Sequence, residues 1–349
     1  MLKPLKALTK AVVSPMLDAT GIYGRRIERI SAEPGAWTIV MYHRVIENPA
    51  KDPFRLGMCV MRDRFERQIR YLRANFDIIG VGEAAQRLAR GESLPARALS
   101  VTFDDGYLDN LTRALPVMQR YDVPFTVFVP TGDLDTGRML WWDRVIAVLA
   151  STRRSEIDLL DLGLTNHSEL LSLKGVSAAA NAERVLDLLW SRDRPECERS
   201  IEYIERLLGP CDTRQALHAQ RLSPAQVQEL RRQGVEIGAH SVSHPNLALA
   251  DEDSVRSELL QSRLMLEELL QEPVTGFAYP GGRLQATAQR LSRELGFVYA
   301  LSTIPGTNMP DYEMSRLRRI GMPDTELPDF RRAFSGALER GVADGHLRF

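Results

Sequence analysis

Ala98-Leu-Ser-Val-Thr-Phe103 runs directly into Asp104-Asp105-Gly106. Six uncharged residues rich in β-formers read as a buried strand, and Asp-Asp-Gly turns the chain at its C-terminal end. The same order recurs on both sides. Upstream, Trp37-Thr-Ile-Val-Met-Tyr42 is an apolar run ending in His43-Arg44. Arg62 to Asn75 then carries Phe65, Ile69 and Leu72 at helical spacing, followed by the short strand Phe76 to Ile79 and a helix over Glu83 to Arg90. Downstream, Leu108 to Tyr121 reads as a helix, Pro124 to Pro130 as a strand, and Val235 to Ala239 as a strand leading into His240. Ser254 to Leu270 is an amphipathic helix, Gly276 to Tyr279 a strand ending at Pro280-Gly281, and Ala286 to Leu295 a helix. Val298 to Thr303 and Leu317 to Ile320 are the last strands. Strands alternating with helices predict a parallel α/β architecture, a barrel or part of one.

The alternation breaks once. From about 135 to 222 helical patterning is long, strand signals vanish and charge is high, which predicts a helical insertion. Trp141-Trp142 opens it and reads as packing that closes a helix over the barrel, or as a stacking platform for a sugar. At the N-terminus Leu2, Leu5, Leu8, Val12, Met16 and Leu17 recur at helical spacing. The predicted organisation is an amphipathic helical extension over 1–34, interrupted at Pro15, a main domain over 35–335 and a tail over 336–349.

Composition narrows the function. A chain of 349 residues, 44% hydrophobic and 26% charged, has the make-up of a globular domain with a substantial core. A formal net charge of -1 argues against nucleic acid as a partner. Three cysteines without a CxxC spacing make neither a disulfide framework nor a thiolate metal site. No stretch approaches the roughly 18 apolar residues of a membrane span. Lys3, Lys6 and Lys10 have no continuous apolar segment behind them, so the start does not read as a signal peptide. Residues 1–30 are expected either to dock on the protein's own body or to lie on the inner membrane surface, in a cytoplasmic protein.

The polar groups that follow predicted strands are His43, Asp104-Asp105, His240, Pro280-Gly281 and Arg319, and sites in parallel α/β folds are built at those ends. Adjacent carboxylates repel unless a cation or proton lies beside them. His240 and His244, four residues apart, are two of only six histidines. Two imidazoles and one carboxylate suit Zn²⁺, with water or substrate completing the shell. The same set serves Fe(II) oxygenases, but the spare carboxylate favours hydrolysis.

Thr102-Phe103-Asp104-Asp105-Gly106 and His240-Ser241-Val242-Ser243-His244 together resemble the first and second motifs of the NodB-type polysaccharide deacetylases, carbohydrate esterase family four. The resemblance runs from about Trp37 to Met322, insertion excluded. It implies a distorted (β/α) barrel that removes N-acetyl groups from amino sugars. It also implies that Asp104 is the general base and that Asp105, His240 and His244 bind a divalent metal, Zn²⁺ first, with Co²⁺ or Ni²⁺ as alternatives.

Two positions depart from the family pattern. Gly276-Phe-Ala-Tyr-Pro-Gly281 lacks the arginine that usually precedes the third motif, and Leu317-Arg318-Arg319-Ile320 stands where a late motif normally supplies the general-acid histidine. Met41-Tyr-His-Arg-Val45 resembles a segment of the poly-N-acetylglucosamine deacetylase branch, which implies His43 as the acid. Arg319 is then expected to orient Asp104, with Tyr279, Pro280 and Gly281 binding or orienting substrate. The expected substrate is an N-acetylated amino sugar in a bacterial polysaccharide or glycan precursor, as in exopolysaccharide or lipopolysaccharide biosynthesis. Deformylation, cleavage of another amide, and a non-catalytic glycan-binding barrel are the alternatives.

Overall fold

β1 (Trp37–Tyr42) and β5 (Ala98–Phe103) pair in parallel over their whole length, Trp37 beside Ala98 through Tyr42 beside Phe103. The structure, a computed structural model, describes residues 15–48, 58–175, 178–209, 211, 219–282 and 285–340. All six residues of β5 are buried, so the strand reads as a continuous apolar run rather than an alternating one. The side chains nevertheless alternate. Leu99, Val101 and Phe103 join the core under the outer helices, with Phe65, Ile69 and Leu72. Ser100, on the other face, accepts a hydrogen bond from Trp37 Nε1 inside the barrel (3.0 Å).

The remaining strands of the main sheet are β4 (Asp77–Ile78), β6 (Phe125–Val129), β9 (Glu236–Ala239), β10 (Gly276–Ala278), β11 (Tyr299–Leu301) and β12 (Ile320–Gly321). They run in the order β11-β10-β9-β6-β5-β1-β12, with β4 beside the first residues of β5, and every pair is parallel. One short segment joins the two ends. Leu317 N–H donates to Ala300 O (2.9 Å), while Ile320 and Gly321 pair with Val40 and Met41. Leu317–Gly321 therefore spans from β11 to β1, and the fold is a distorted (β/α) barrel.

Two predicted elements differ in detail. The helix expected over Leu108 to Tyr121 is a π-turn, Asn110–Ala114, followed by an α-helix, Leu115–Arg120. Pro116 lacks the N–H that an unbroken α-ladder needs there, and a wider turn absorbs the gap. The inserted region holds the helices Trp141–Ser151, Ala178–Trp190 and Arg194–Leu208 around an apolar core of their own. It also contains an antiparallel pair, β7 (Glu156–Asp158) and β8 (Leu170–Ser172), against the expectation of no strands. Each has three residues and one buried side chain, Ile157 or Leu171, too short for a period of two to show. A further small parallel pair, β2 (Arg44–Ile46) and β3 (Cys59–Met61), continues the chain beyond β1.

Of the N-terminal extension, residues 1–14, including Leu2, Leu5, Leu8 and Val12, lie outside the described residues. The described part breaks at Thr20–Gly21, where Gly21 has φ 72. Tyr23, Ile27 and Ile30 of the helix Ile22–Ser31 are buried, and this helix packs on the C-terminal helix Leu327–Arg340. That apolar face is spent on the protein's own body rather than offered to a bilayer. Residues 341–349 of the expected tail lie outside the described residues. Among the described residues no helix is long and apolar enough to cross a membrane.

Candidate active site

The alternation of β5 carries one residue beyond its end. Ser100, Thr102 and Asp104 share the inward face, and Asp104 N–H still donates to Tyr42 O (3.0 Å). Asp104 thus enters the barrel mouth while the chain turns sharply. Asp105 has φ 74 and Gly106 φ 61, left-handed backbone that Asp tolerates better than most residues. The turn places two neighbouring carboxylates, both 2% exposed, in different surroundings.

Asp104 faces Arg319. Nη1 and Nη2 of that guanidinium donate to Oδ1 and Oδ2 of Asp104, each at 2.7 Å, and its Nε donates to Ser302 O (2.9 Å). Arg319 is fully buried, inside the barrel at the segment that closes the ring. Burial pushes the Asp104 carboxyl up, but the Arg319 charge and then the His240 imidazole outweigh it, aided by the Arg319 hydrogen bonds and His43, and hold it at about 2. Asp104 is therefore an ionised, oriented carboxylate at neutral pH.

Asp105 faces the two histidines. His240 Nε2 lies 3.5 Å and His244 Nε2 3.6 Å from Asp105 Oδ1. His240 Nδ1 donates to Ala278 O (2.7 Å), which fixes its proton there and leaves the Nε2 lone pair toward Asp105. Burial, and then the neighbouring His240, push His244 down to about 3, so its imidazole is neutral. Burial pushes the Asp105 carboxyl up, yet the neighbouring imidazoles, His240 foremost, leave it below the usual carboxylate range.

These three residues fit a divalent metal. Asp105 Oδ1 is buried without a hydrogen-bond partner, a costly state unless a cation meets it. One ligand atom from each of Asp105, His240 and His244 lies within 4.8 Å of the others. Two imidazole nitrogens and a carboxylate oxygen are a donor set for Zn²⁺ or a similar transition metal.

A cavity of about 290 Å³ opens over this group, lined by His43, Asp104, Asp105, His240, His244 and Gly281 among others. His43 follows β1 and is half-buried, its carbonyl held by Asn110 Nδ2 (2.8 Å). Gly281 has φ 56, and a Cβ there would lie 2.7 Å from Trp190 Cζ2. Tyr279 and Pro280 are buried. Tyr279 turns away from the cavity, with its hydroxyl 2.9 Å from both Ser292 Oγ and Ser315 O, so it supports the wall rather than the substrate.

The inserted helices form one side of the cavity; Trp141-Trp142 was legible in the sequence as a cover over the barrel, whereas the helix Ala178–Trp190 was not. Leu186, Trp190, Glu183 and Asp187 come from the helix Ala178–Trp190, and Met58 from the chain before β3. Trp141 and Trp142 also line it. Trp141 Nε1 donates to His244 O (3.3 Å), and the Trp142 ring meets the His244 ring edge-on at 4.5 Å. Trp142 is held in turn by Tyr107, whose hydroxyl lies 2.8 Å from Asp143 Oδ2. Trp190 had no signal beyond helical patterning, because nothing in an insertion tells which helix end will meet the barrel.

A family model for polysaccharide deacetylase matches residues 91–157 and 179–300, more than half of the chain, with a gap inside the insertion. The Bacillus subtilis protein YxkH, a polysaccharide deacetylase by name, is 19% identical over 289 residues, 82% of this chain and 72% of that protein. The Escherichia coli poly-β-1,6-N-acetyl-D-glucosamine N-deacetylase is 30% identical over 94 residues, 27% of this chain and 13% of that longer protein. Among solved structures, the Streptococcus pyogenes deacetylase PplD, in complex with acetate, superposes with a TM-score of 0.57 at 19% identity. That likeness covers 85% of this chain and 96% of PplD, and it is one of fold. Both carboxylates and both histidines fall inside the matched residues, and on that footing the chain belongs to the polysaccharide deacetylase family.

Proposed function

We propose that this protein is a metal-dependent hydrolase that removes N-acetyl groups from an amino sugar, with poly-N-acetylglucosamine or a related bacterial glycan or precursor as substrate class. The observation that carries the reading is the division of labour between the two adjacent carboxylates. Asp104 is spent on Arg319, and Asp105 leaves a bare oxygen toward His240 and His244. Membership of the family supplies the deacetylase chemistry, and the named substrate of the E. coli relative suggests the sugar.

Asp105, His240 and His244 would hold the metal, Zn²⁺ in the first instance. Bound there, it acidifies water and polarises the acetamide carbonyl, which suits a base held as low as Asp104. Asp104 accepts a proton from the attacking water, and Arg319 keeps both carboxylate oxygens aligned for that transfer. Gly281, without a side chain, lets the carbonyl oxygen approach the backbone at the cavity wall. His43, which lines the same cavity, donates a proton to the departing sugar amine. The aromatic and aliphatic wall of Trp141, Trp190 and Leu186 shields the reacting groups from bulk water.

The test compares three variants for metal content and for acetate release from N-acetylglucosamine oligomers. Asp104→Asn is expected to keep the metal and lose at least a hundredfold in turnover, and His240→Ala to lose both. His43→Ala is expected to keep the metal and lose tenfold or more. Near wild-type turnover in Asp104→Asn would remove the base from the proposal, and full turnover in His43→Ala would remove the acid. Formate assayed in the same samples separates deformylation from deacetylation.

A further inference from the structure

The pentapeptide His240–His244 has to turn tightly to bring two imidazoles to one carboxylate. Ser241 and His244 take up left-handed backbone for this, with φ 63 and 50. Such backbone persists only where its surroundings hold it. Thr131 N–H donates to Ser241 O (3.1 Å), and Gly132 N–H donates to Val242 O (2.8 Å). On the other side stands Glu258. Its Oε2 accepts from Val242 N–H (2.7 Å) and Ser243 N–H (2.9 Å), and its Oε1 accepts from Ser243 Oγ (2.6 Å).

Glu258 sits in the middle of the helix Glu252–Leu270, whose buried Val255, Leu259 and Leu266 fix that helix to the core. The hydrogen bonds its carboxylate makes to described residues all go to the metal-site turn. A carboxylate accepting from two consecutive backbone N–H groups and a hydroxyl makes the stronger, charge-assisted kind of contact. Asp105, by contrast, follows the central strand β5 by two residues.

Resting on the metal-site reading above, we infer that Glu258 is a positioning residue for the metal centre. It pins the turn that brings His240 and His244 to Asp105, and so sets metal affinity without touching metal or substrate. The clamp is part of the path by which helix packing reaches the site.

The experiment titrates metal-free wild type, Glu258→Ala and Glu258→Gln with Zn²⁺ against a chromophoric chelator, with thermal unfolding of each protein alongside. Glu258→Ala is expected to raise the Kd at least tenfold while the protein still unfolds cooperatively. Glu258→Gln is expected to raise it less, by threefold or more, because its amide oxygen still accepts from the backbone. Excess Zn²⁺ should recover most of the turnover lost in Glu258→Ala, which it would not do for a missing base. A wild type that binds no Zn²⁺ overturns the metal reading itself. A wild type that binds, with both variants within twofold of it, overturns the role of Glu258 alone. If Glu258→Ala does not fold, Glu258→Gln decides, and a Kd within twofold of wild type rejects the inference.

Discussion

A carboxyl group sealed into a barrel mouth would ordinarily keep its proton, and Asp104 does not because Arg319 is sealed in with it. The pair is buried, bidentate and supported by Ser302, so removing one partner strands the other. Arg319→Ala is expected to cost roughly 3–5 kcal/mol of stability, read from denaturant midpoints, and at least tenfold in turnover. Arg319→Lys should recover part of the stability but little of the turnover, since one ammonium cannot align both oxygens. A pH effect follows with a definite sign. The folded Asp104 carboxyl, at about 2, lies below its unfolded value near ~3.9. Its contribution of about 2 kcal/mol is therefore present above pH ~4 and lost as pH falls from there toward 2. Arg319→Ala should flatten that part of the acid-unfolding curve.

The polar groups of the site follow strand ends, and this is what the residues made legible. β1, β5 and β9 were readable as short apolar runs that deliver polar groups to the same cavity, and the segment Leu317–Gly321 places Arg319 against Asp104. Asp104 shares the inward face with Ser100 and Thr102, but with all six residues of β5 buried no alternation in the sequence marked that face. Three further things could not be read. The strands β7 and β8 are too short to show a period. The π-turn at Asn110–Ala114 depends on how Pro116 is accommodated. Trp190 reaches Gly281 only through the packing of the inserted helices, which no local pattern encodes. That last contact is testable. Gly281→Ala combines a left-handed backbone with a Cβ 2.7 Å from Trp190 Cζ2. It is expected to cost about 1–2 kcal/mol, seen in thermal unfolding, and to raise KM as the Trp190 wall shifts.

At the scale of the molecule, the barrel supplies the proposed metal ligands and the proposed base with its partner Arg319, while the insertion supplies the wall over them. Among the described residues the buried apolar side chains form three clusters, one under the barrel helices, one inside the barrel and one within the insertion, and the last reaches the cavity through Trp141 and Trp142. The family match leaves a gap only at 158–178, and the wall residues Trp141, Trp142, Leu186 and Trp190 lie within the matched ranges. The central claim is that the site releases acetate from an N-acetylated sugar and needs a metal to do so. The most direct measurement is mass spectrometry of an N-acetylglucosamine oligomer incubated with Zn²⁺-loaded protein, with the same protein after chelation, and with that protein reloaded. The account predicts loss of one acetyl mass per new amine in the first and third samples and none in the second. No acetyl loss from oligomers or monomeric precursors with Zn²⁺ bound, or equal loss after chelation, would contradict it.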